Sequence, residues 1–370
     1  HRRRRLIPGE RRFGPPSMTG SPNGGPVIAL DVMSGDAGAA EAIAAADIAA
    51  ERYPRLGFLL FGQQAVIAPE LARWPRLASR ARIVHSDDVV SMRDKPSQAL
   101  RRARTTSMGM AIDAVKQGEA HAAVSAGNTG ALMAMSLFAL RTMKGIDRPA
   151  LAAILPTLKS ESVMLDLGAN TECDATNLVQ FAVMGAAFAR TVLGLEQPRV
   201  GLLNIGEEEL KGTDEIRNAA AILKTARLPM QFLGFVEGDK IGTGDVDVVV
   251  TDGFSGNIAL KTAEGTSRLV TGLLGNAFRS SIWGKLGYFI ARGALQSLRN
   301  HLDPNAHNGA VFLGLNGIVV KSHGGANARG LANAIGVAHD LVRDDVGRRI
   351  SADLSGINMG QASAPEPDAA

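Results

Sequence analysis

Six apolar runs, each breaking directly into a short loop of Gly, Asn, Ser and Asp, constrain this chain more than any other feature. They cover residues 28–31 entering VMSGD, 122–125 entering AGNTGA, 163–166 entering LGANTE, 200–203 entering NIGEEELKG, 246–250 entering TDGFSGN, and 318–321 entering SHGGA. In an open α/β sheet, ligands bind beyond the carboxyl ends of the strands. Six such loops therefore predict one shared polar pocket.

Between these runs the pattern turns helical. Helices are predicted from residue 37 to about 52, to about 73 after a strand at 57–61, and over 97–117, 129–144, 177–193, 208–226 and 327–343. Strands separated by helices of this length make βαβ units and a mainly parallel sheet, here a three-layer α/β/α fold. Hydrophobic residues make up 45% of the chain but aromatic ones only 4%, so the apolar content is mostly aliphatic, as a buried parallel sheet requires. At 370 residues the chain exceeds one ordinary domain, so one large unit or two lobes is expected.

The net charge of +4 does not point to nucleic acid. Residues 1–17 carry six Arg against Glu10 alone, leaving 34 basic and 35 acidic residues in the remainder. We expect a disordered basic tail over 1–25, with 1–17 non-native, and a flexible tail over 351–370. A targeting leader is the alternative for the Arg-rich segment, although it lacks the apolar stretch of a secretory signal. The single Cys173 excludes a disulfide framework and suits a reducing compartment. Ser125, Asn128 and Thr129 interrupt the most apolar window, at 122–140, so it reads as strand, loop and helix rather than a membrane span.

The densest motif is Ser125-Ala-Gly127-Asn128-Thr129-Gly130. Glycine lets backbone approach a ligand, and the following helix directs unpaired N–H groups and its positive end at the loop. It lacks the Lys of a P-loop and is no GxGxxG fingerprint. Its plainer reading is a tight turn with an N-cap. Asp31, which ends the first run, joins this anion-binding set. The loop at 251–257 offers Asp252, Ser255, Gly256 and Asn257, with Asp252 a ligand group or a cap. The loop after residue 203 offers Asn204 and Lys211, while Glu207, Glu208 and Glu209 read as acids at a helix start. Lys321 and His323 close the set, and His323 is the leading acid/base candidate because it follows a strand inside a glycine loop.

No GxSxG elbow, HExxH or zinc-type Cys/His spacing is present in the sequence, so neither a covalent nucleophile nor a metal centre is evident. Loops of this kind suit an enzyme that positions a nucleophile supplied by its substrate, such as inorganic phosphate.

Over residues 27–342 the chain resembles the phosphate acyltransferases of bacterial phospholipid synthesis, the PlsX type. The likeness is carried by ALDVMSGD, TTSMGMAIDAVKQGEAHAAVSAGNTGALMA, KGIDRPALAAILPT, LDLGANTECDATNLVQFAVMG, LLNIGEEELKG, FVEGDKIGTGDVDVVVTDGFSGNIALKTAEG and LGLNGIVVKSHG. Local departures are Ser34, where Gly is expected, and HNGAVFLG at 307–314, in place of a double-glycine form. The resemblance implies a catalytic domain over 26–350 with a fold similar to isocitrate and isopropylmalate dehydrogenases and phosphotransacetylases. It further implies a homodimer and no cofactor. The reaction implied is transfer of a fatty acyl group from acyl carrier protein to phosphate, giving acyl phosphate for a downstream glycerol 3-phosphate acyltransferase.

From the loops themselves we expect Ser125, Asn128 and Thr129 to hold phosphate, with Lys211 or Lys321 balancing charge. Asn170, Asn204 and Asn257 would orient the acyl and phosphate groups, and His323 would protonate the departing thiolate. Residues 264–302 read as an amphipathic hairpin with a bend near Trp283, where Gly284 and Gly287 fall. Trp283, Tyr288 and Phe289, with the heptad-spaced Lys285, Arg292 and Arg299, are its candidate contacts with a membrane face or an acidic carrier protein. An interlocking dimer helix is the plainer reading. The expected location is the cytoplasm, peripherally on the inner face of the cell membrane. A coenzyme A-dependent phosphate acyltransferase, a metal- and nicotinamide-dependent dehydrogenase using Asp36, Asp166 or Asp252, and a non-catalytic anion sensor stay open as alternatives.

Overall fold

The computed structural model describes residues 24–355 apart from Pro304 and, for Arg299, the backbone only. Its first half contains β1 (Val27–Asp31), α1 (Gly38–Arg52), β2 (Gly57–Gly62), α2 (Gln64–Leu71), α3 (Pro75–Ala78), β3 (Ala81–His85), α4 (Pro96–Arg101), α5 (Ser107–Gln117), β4 (Ala122–Ser125) and α6 (Thr129–Leu140). There follow β5 (Ala150–Pro156), β6 (Glu161–Leu165), α7 (Ala175–Val192), β7 (Arg199–Leu203), α8 (Asp214–Thr225), β8 (Gln231–Val236) and β9 (Val248–Val250). The chain continues through α9 (Gly253–Arg279), α10 (Ile282–His301), β10 (Ala310–Leu313), β11 (Ile318–Lys321), α11 (Ala328–Arg343) and α12 (Val346–Ser355).

Among the described residues, the eleven strands join one sheet in the order β3-β2-β1-β4-β11-β10-β5-β6-β9-β7-β8. The first five are mutually parallel, and so are the last four. Between them, β10 and β5 form antiparallel pairs that reverse the direction, so the two parallel halves run opposite ways. The sheet is mainly parallel, as expected; this antiparallel centre is not announced by the sequence pattern. Helices cover both faces over two buried aliphatic clusters. Small residues let α1 and α11 approach closely: Ala42, Ala45, Ala46 and Ala49 face a helix carrying Ala332, Ala334 and Ala338.

Several boundaries differ from expectation for local reasons. The predicted helix at 97–117 is two, because Arg102 turns aside to bind Asp88 and Asp94 and Thr106 caps α5. The next helix stops at Leu140, where Arg141 takes a positive φ of 60°. The helix placed from 208 starts at Asp214 under a Thr213 cap, so Glu207–Glu209 lie in the loop and not in its first turn. The hairpin's first arm begins at Gly253, well before residue 264. Its turn is at Ser280–Ser281, where a Cβ on Gly284 would sit 2.7 Å from the Phe278 carbonyl oxygen. Residues 351–355 continue α12 rather than opening a tail, and Asp353 pairs with Arg190. Of the tails expected over 1–25 and 351–370, residues 1–23 and 356–370 lie outside the described residues. Among the described residues, no helix is long and apolar enough to cross a membrane.

Candidate active site

Short central strands bring the two opposed halves together at one level. Lys321, the last residue of β11, pairs with Ala310, while Val311 pairs with Ala152, and Ala152 with Leu165 at the end of β6. The carboxyl ends of β11 and β6 therefore differ by about one residue in height and lie three strand spacings apart, about 14 Å. Over this centre, walled by the α9–α10 hairpin, lies a cavity of about 2010 Å³. Four of the six loops reach it, through Thr129 and Gly130, through Gly168 and Thr171, through Gly253 and Asn257, and through Lys321, Ser322 and His323.

The expectation of a pocket shared by all six loops needs correction. Asn204 and Lys211 do not line the cavity: the Asn204 amide donates to the Lys211 carbonyl at 3.1 Å, closing their own loop. The β1 loop reaches the cavity only indirectly, by donating Asp36 N–H to the Gly324 carbonyl at 2.9 Å.

The β4 loop is also differently employed. Asp31 is fully buried and accepts from the hydroxyls of Ser34, Ser107 and Ser125, the last two at 2.7 Å. Ser125 in turn accepts the Gly127 N–H at 3.1 Å. Burial pushes the Asp31 carboxyl up, against the lowering effect of its hydroxyl partners. Asn128 caps α6 by accepting the Ala131 N–H at 3.0 Å, and its amide donates to the carbonyls of Met92 at 3.1 Å and Asp94 at 3.0 Å. Asp31, Ser125 and Asn128 thus hold protein to protein, and none lines the cavity. The side chains expected to hold phosphate are engaged by the protein itself. Gly127 packs against Ser34 and Met108; Thr129 and Gly130 alone of this motif open into the cavity.

A parallel correction applies around β6 and β9. Asp166 accepts four backbone N–H groups, from Leu151, Gly168, Ala169 and Asn170, together with the Asn170 amide at 2.9 Å. Asn170 also donates to the Pro149 carbonyl at 2.8 Å, which leaves it an architectural part. Asp252 is the N-cap of α9, accepting from Ser255 N–H at 2.8 Å. A Cβ on Gly256 would sit 1.9 Å from the Asp166 carbonyl oxygen, so glycine here lets α9 close on the β6 loop. Ser255 and Gly256 stay off the cavity wall, while Asn257 is exposed on it. Burial and the nearby Asp166 push the Cys173 thiol up to about 12, away from the thiolate form.

Charge concentrates instead between the β11 loop and α9. Lys321 is 8% exposed, and its ammonium donates to the Ser322 carbonyl. Burial, then the like charge of Lys261, lowers it to about 8, against Asp36, which favours the charged form. Lys261 and Arg268 project from α9 into the same space, with Glu264 as the nearby acid, 2.9 Å from Lys261. His323 lies below its ordinary value, first through desolvation and then through Lys261, Lys321 and Arg268, with Glu264 opposing. Its Nδ1 accepts the Gly325 N–H at 3.3 Å, which leaves the Nε2 of the neutral ring as a donor. Lys261 and Arg268 escaped the sequence reading, although seven residues apart on one helix face they give a legible signal.

The hairpin has two faces. Lys285 and Tyr288 line the cavity, with Tyr288 edge-on to Phe278 at 5.8 Å between ring centroids. Trp283 and Phe289, 77% and 73% exposed, do not, and Arg292 is exposed without lining it. The Arg299 side chain lies outside the described residues.

The model of a family described as "Fatty acid synthesis protein" matches residues 27–349. A protein of Erythrobacter litoralis named "Phosphate acyltransferase" is 61% identical over 332 residues, covering 89% of this chain and 94% of its own. One of the same name from Parvibaculum lavamentivorans is 59% identical over 342 residues, 91% of this chain and 95% of its own. Among solved structures, a phosphotransacetylase from Streptococcus pyogenes superposes with a TM-score of 0.58 at 16% identity, covering 86% of this chain and 94% of that one. The EutD phosphotransacetylase from Staphylococcus aureus gives 0.57 at 15%, covering 86% and 95%. At such identities the structural likeness shows the fold.

Proposed function

This chain belongs to the phosphate acyltransferase family, and from that premise we propose that Lys321, Lys261, Arg268 and His323 seat inorganic phosphate while it attacks a fatty acyl thioester carried by acyl carrier protein. The reaction is acyl transfer to phosphate in phospholipid synthesis. The observation that carries the assignment is the excess of positive charge in one corner of the cavity, where three cations and a histidine meet two acids, Glu264 and Asp36. A dianion relieves that like-charge repulsion.

The step follows from those groups. A phosphate oxygen forms a bond to the thioester carbonyl carbon, and the tetrahedral intermediate collapses with cleavage of the C–S bond. The departing thiolate takes a proton. Lys321, near 8, is better matched to a thiol, ordinarily at about 8.5, than is His323, whose proton affinity the site depresses. His323 acts instead as a neutral Nε2–H donor to phosphate. Thr129 and Asn257 face the same space and orient the reactants. The apolar wall formed by Leu151, Met164, Leu274, Phe278 and Leu298 suits an alkyl chain. The deciding experiment compares phosphate-dependent thiol release from acyl carrier protein and from coenzyme A at matched acyl concentration. We expect clear preference for the carrier protein; equal turnover with coenzyme A contradicts the donor assignment.

The outward face of the hairpin, with Ile282, Trp283, Phe289 and Ile290 exposed, supports peripheral contact with the inner face of the cell membrane. The basic residues Lys285 and Arg292 suit an acidic carrier. A homodimer and hand-over of acyl phosphate to a glycerol 3-phosphate acyltransferase complete the reading. Flotation with anionic liposomes tests the membrane part: Trp283→Ser is expected to lower the bound fraction, and unchanged binding contradicts it.

A further inference from the structure

The segment bearing Lys321 and His323 is pivoted on Ser322, which is fully buried. Its N–H donates to the Ser125 carbonyl at 2.9 Å, its carbonyl accepts the Lys321 ammonium, and its hydroxyl accepts from the amide of Asn308 at 2.8 Å. Asn308 is 7% exposed and uses its other amide atom as well: Oδ1 accepts the His323 N–H at 2.9 Å. It stands in the turn before β10, fifteen residues back in the chain, so one side chain braces consecutive residues of the anion loop from outside that loop.

The turn is itself held firmly. Upstream, where α10 ends, the His301 ring meets the Thr157 carbonyl at 3.1 Å, and His307 pairs with Glu161 at 2.9 Å. The amide oxygen of Asn305 accepts the N–H of Asn327, the N-cap of α11, at 3.3 Å. The strap from the hairpin to β10 is therefore tied to the β5–β6 turn on one side and to α11 on the other. Asn308 passes that fixed position on to Ser322 and His323.

We infer that Asn308 is a positioning residue for phosphate, holding the Lys321-Ser322-His323 segment at the height where ammonium and imidazole converge on one anion. The inference rests on the phosphate seat proposed above. Without Asn308, the His323 N–H loses its acceptor and the buried Ser322 hydroxyl loses its donor, keeping only its 3.4 Å contact with the His323 carbonyl, and the segment relaxes toward water or other partners. A displacement of about 1 Å at a charge-positioning group is enough to lower turnover by orders of magnitude.

The test is steady-state kinetics of Asn308→Ala, Ser322→Ala and Lys321→Met, varying phosphate and acyl donor separately. Asn308→Ala is expected to raise the phosphate KM at least about tenfold, leaving the donor KM within about twofold. Ser322→Ala removes only one of the two braces and is expected to raise it about threefold. A merely structural role would lower kcat in proportion to folded enzyme and leave both KM values alone; that result overturns the inference. Should Asn308→Ala fail to fold, Ser322→Ala decides by the same phosphate KM. An effect of Lys321→Met on phosphate without one from either other variant refutes the brace alone. No effect from Lys321→Met refutes the phosphate seat itself.

Discussion

The loops after β4 and β11 are neighbours with opposite employment. Their strands pair in parallel, with Ser125 opposite Lys321, and each enters a Gly-rich turn before a helix. In the first, Ser125 is taken up by Asp31 at the end of β1 and by the Gly127 N–H, and Asn128 by backbone from residues 92–94. In the second, a buried ammonium and an imidazole are turned to the cavity with other cations opposite. A phosphate-friendly motif thus reports its composition, whereas its availability depends on residues far away in the chain.

That contrast breaks most visibly at Lys321. Lys321→Met is expected to lower kcat/KM for phosphate by about a hundredfold or more, since it removes the cation aimed at the developing charge. It is also expected to stabilise the fold. A lysine lowered to about 8, from about 10.4 when unfolded, carries a penalty of about 3 kcal/mol at neutral pH. The penalty is complete below about 8 and fades as pH rises toward the unfolded value. Denaturation of wild type and variant checks both signs, and a destabilised Lys321→Met would contradict the account.

The next largest effect is on pH. Because Lys321 is charged below about 8 and neutral above, the phosphate KM should climb on the alkaline side by up to about tenfold per pH unit. The climb should vanish in Lys321→Met, as initial rates at fixed donor would record. Asn128→Ala comes third. It removes a helix cap and the clamp on residues 92–94, so about 1–2 kcal/mol of stability should go. Its phosphate KM should move by less than about threefold, reversing what the motif alone suggests. Smallest is Lys211→Ala, which changes a residue off the cavity wall and should leave the phosphate KM within about twofold.

The sequence made much of the parallel halves legible because six of their strands, β1, β4, β6, β7, β9 and β11, run into loops rich in glycine and polar residues. It hid the centre because β5 and β10 pair only antiparallel and so belong to no parallel βαβ unit. Lys321, His323 and Asn257 were readable as residues at strand or loop ends. Lys261 and Arg268 were passed over because they sit on the body of a helix rather than at a strand exit, and that helix starts at Gly253, before the hairpin expected from residue 264. Asn308 precedes a strand, where a search of strand exits does not look.

The most direct measurement is equilibrium phosphate binding by calorimetry, without acyl donor, to wild type, Lys321→Met and Asn128→Ala. The account predicts that Asn128→Ala binds phosphate like wild type and that Lys321→Met binds it at least about tenfold more weakly. Loss of binding in Asn128→Ala with retention in Lys321→Met would contradict it.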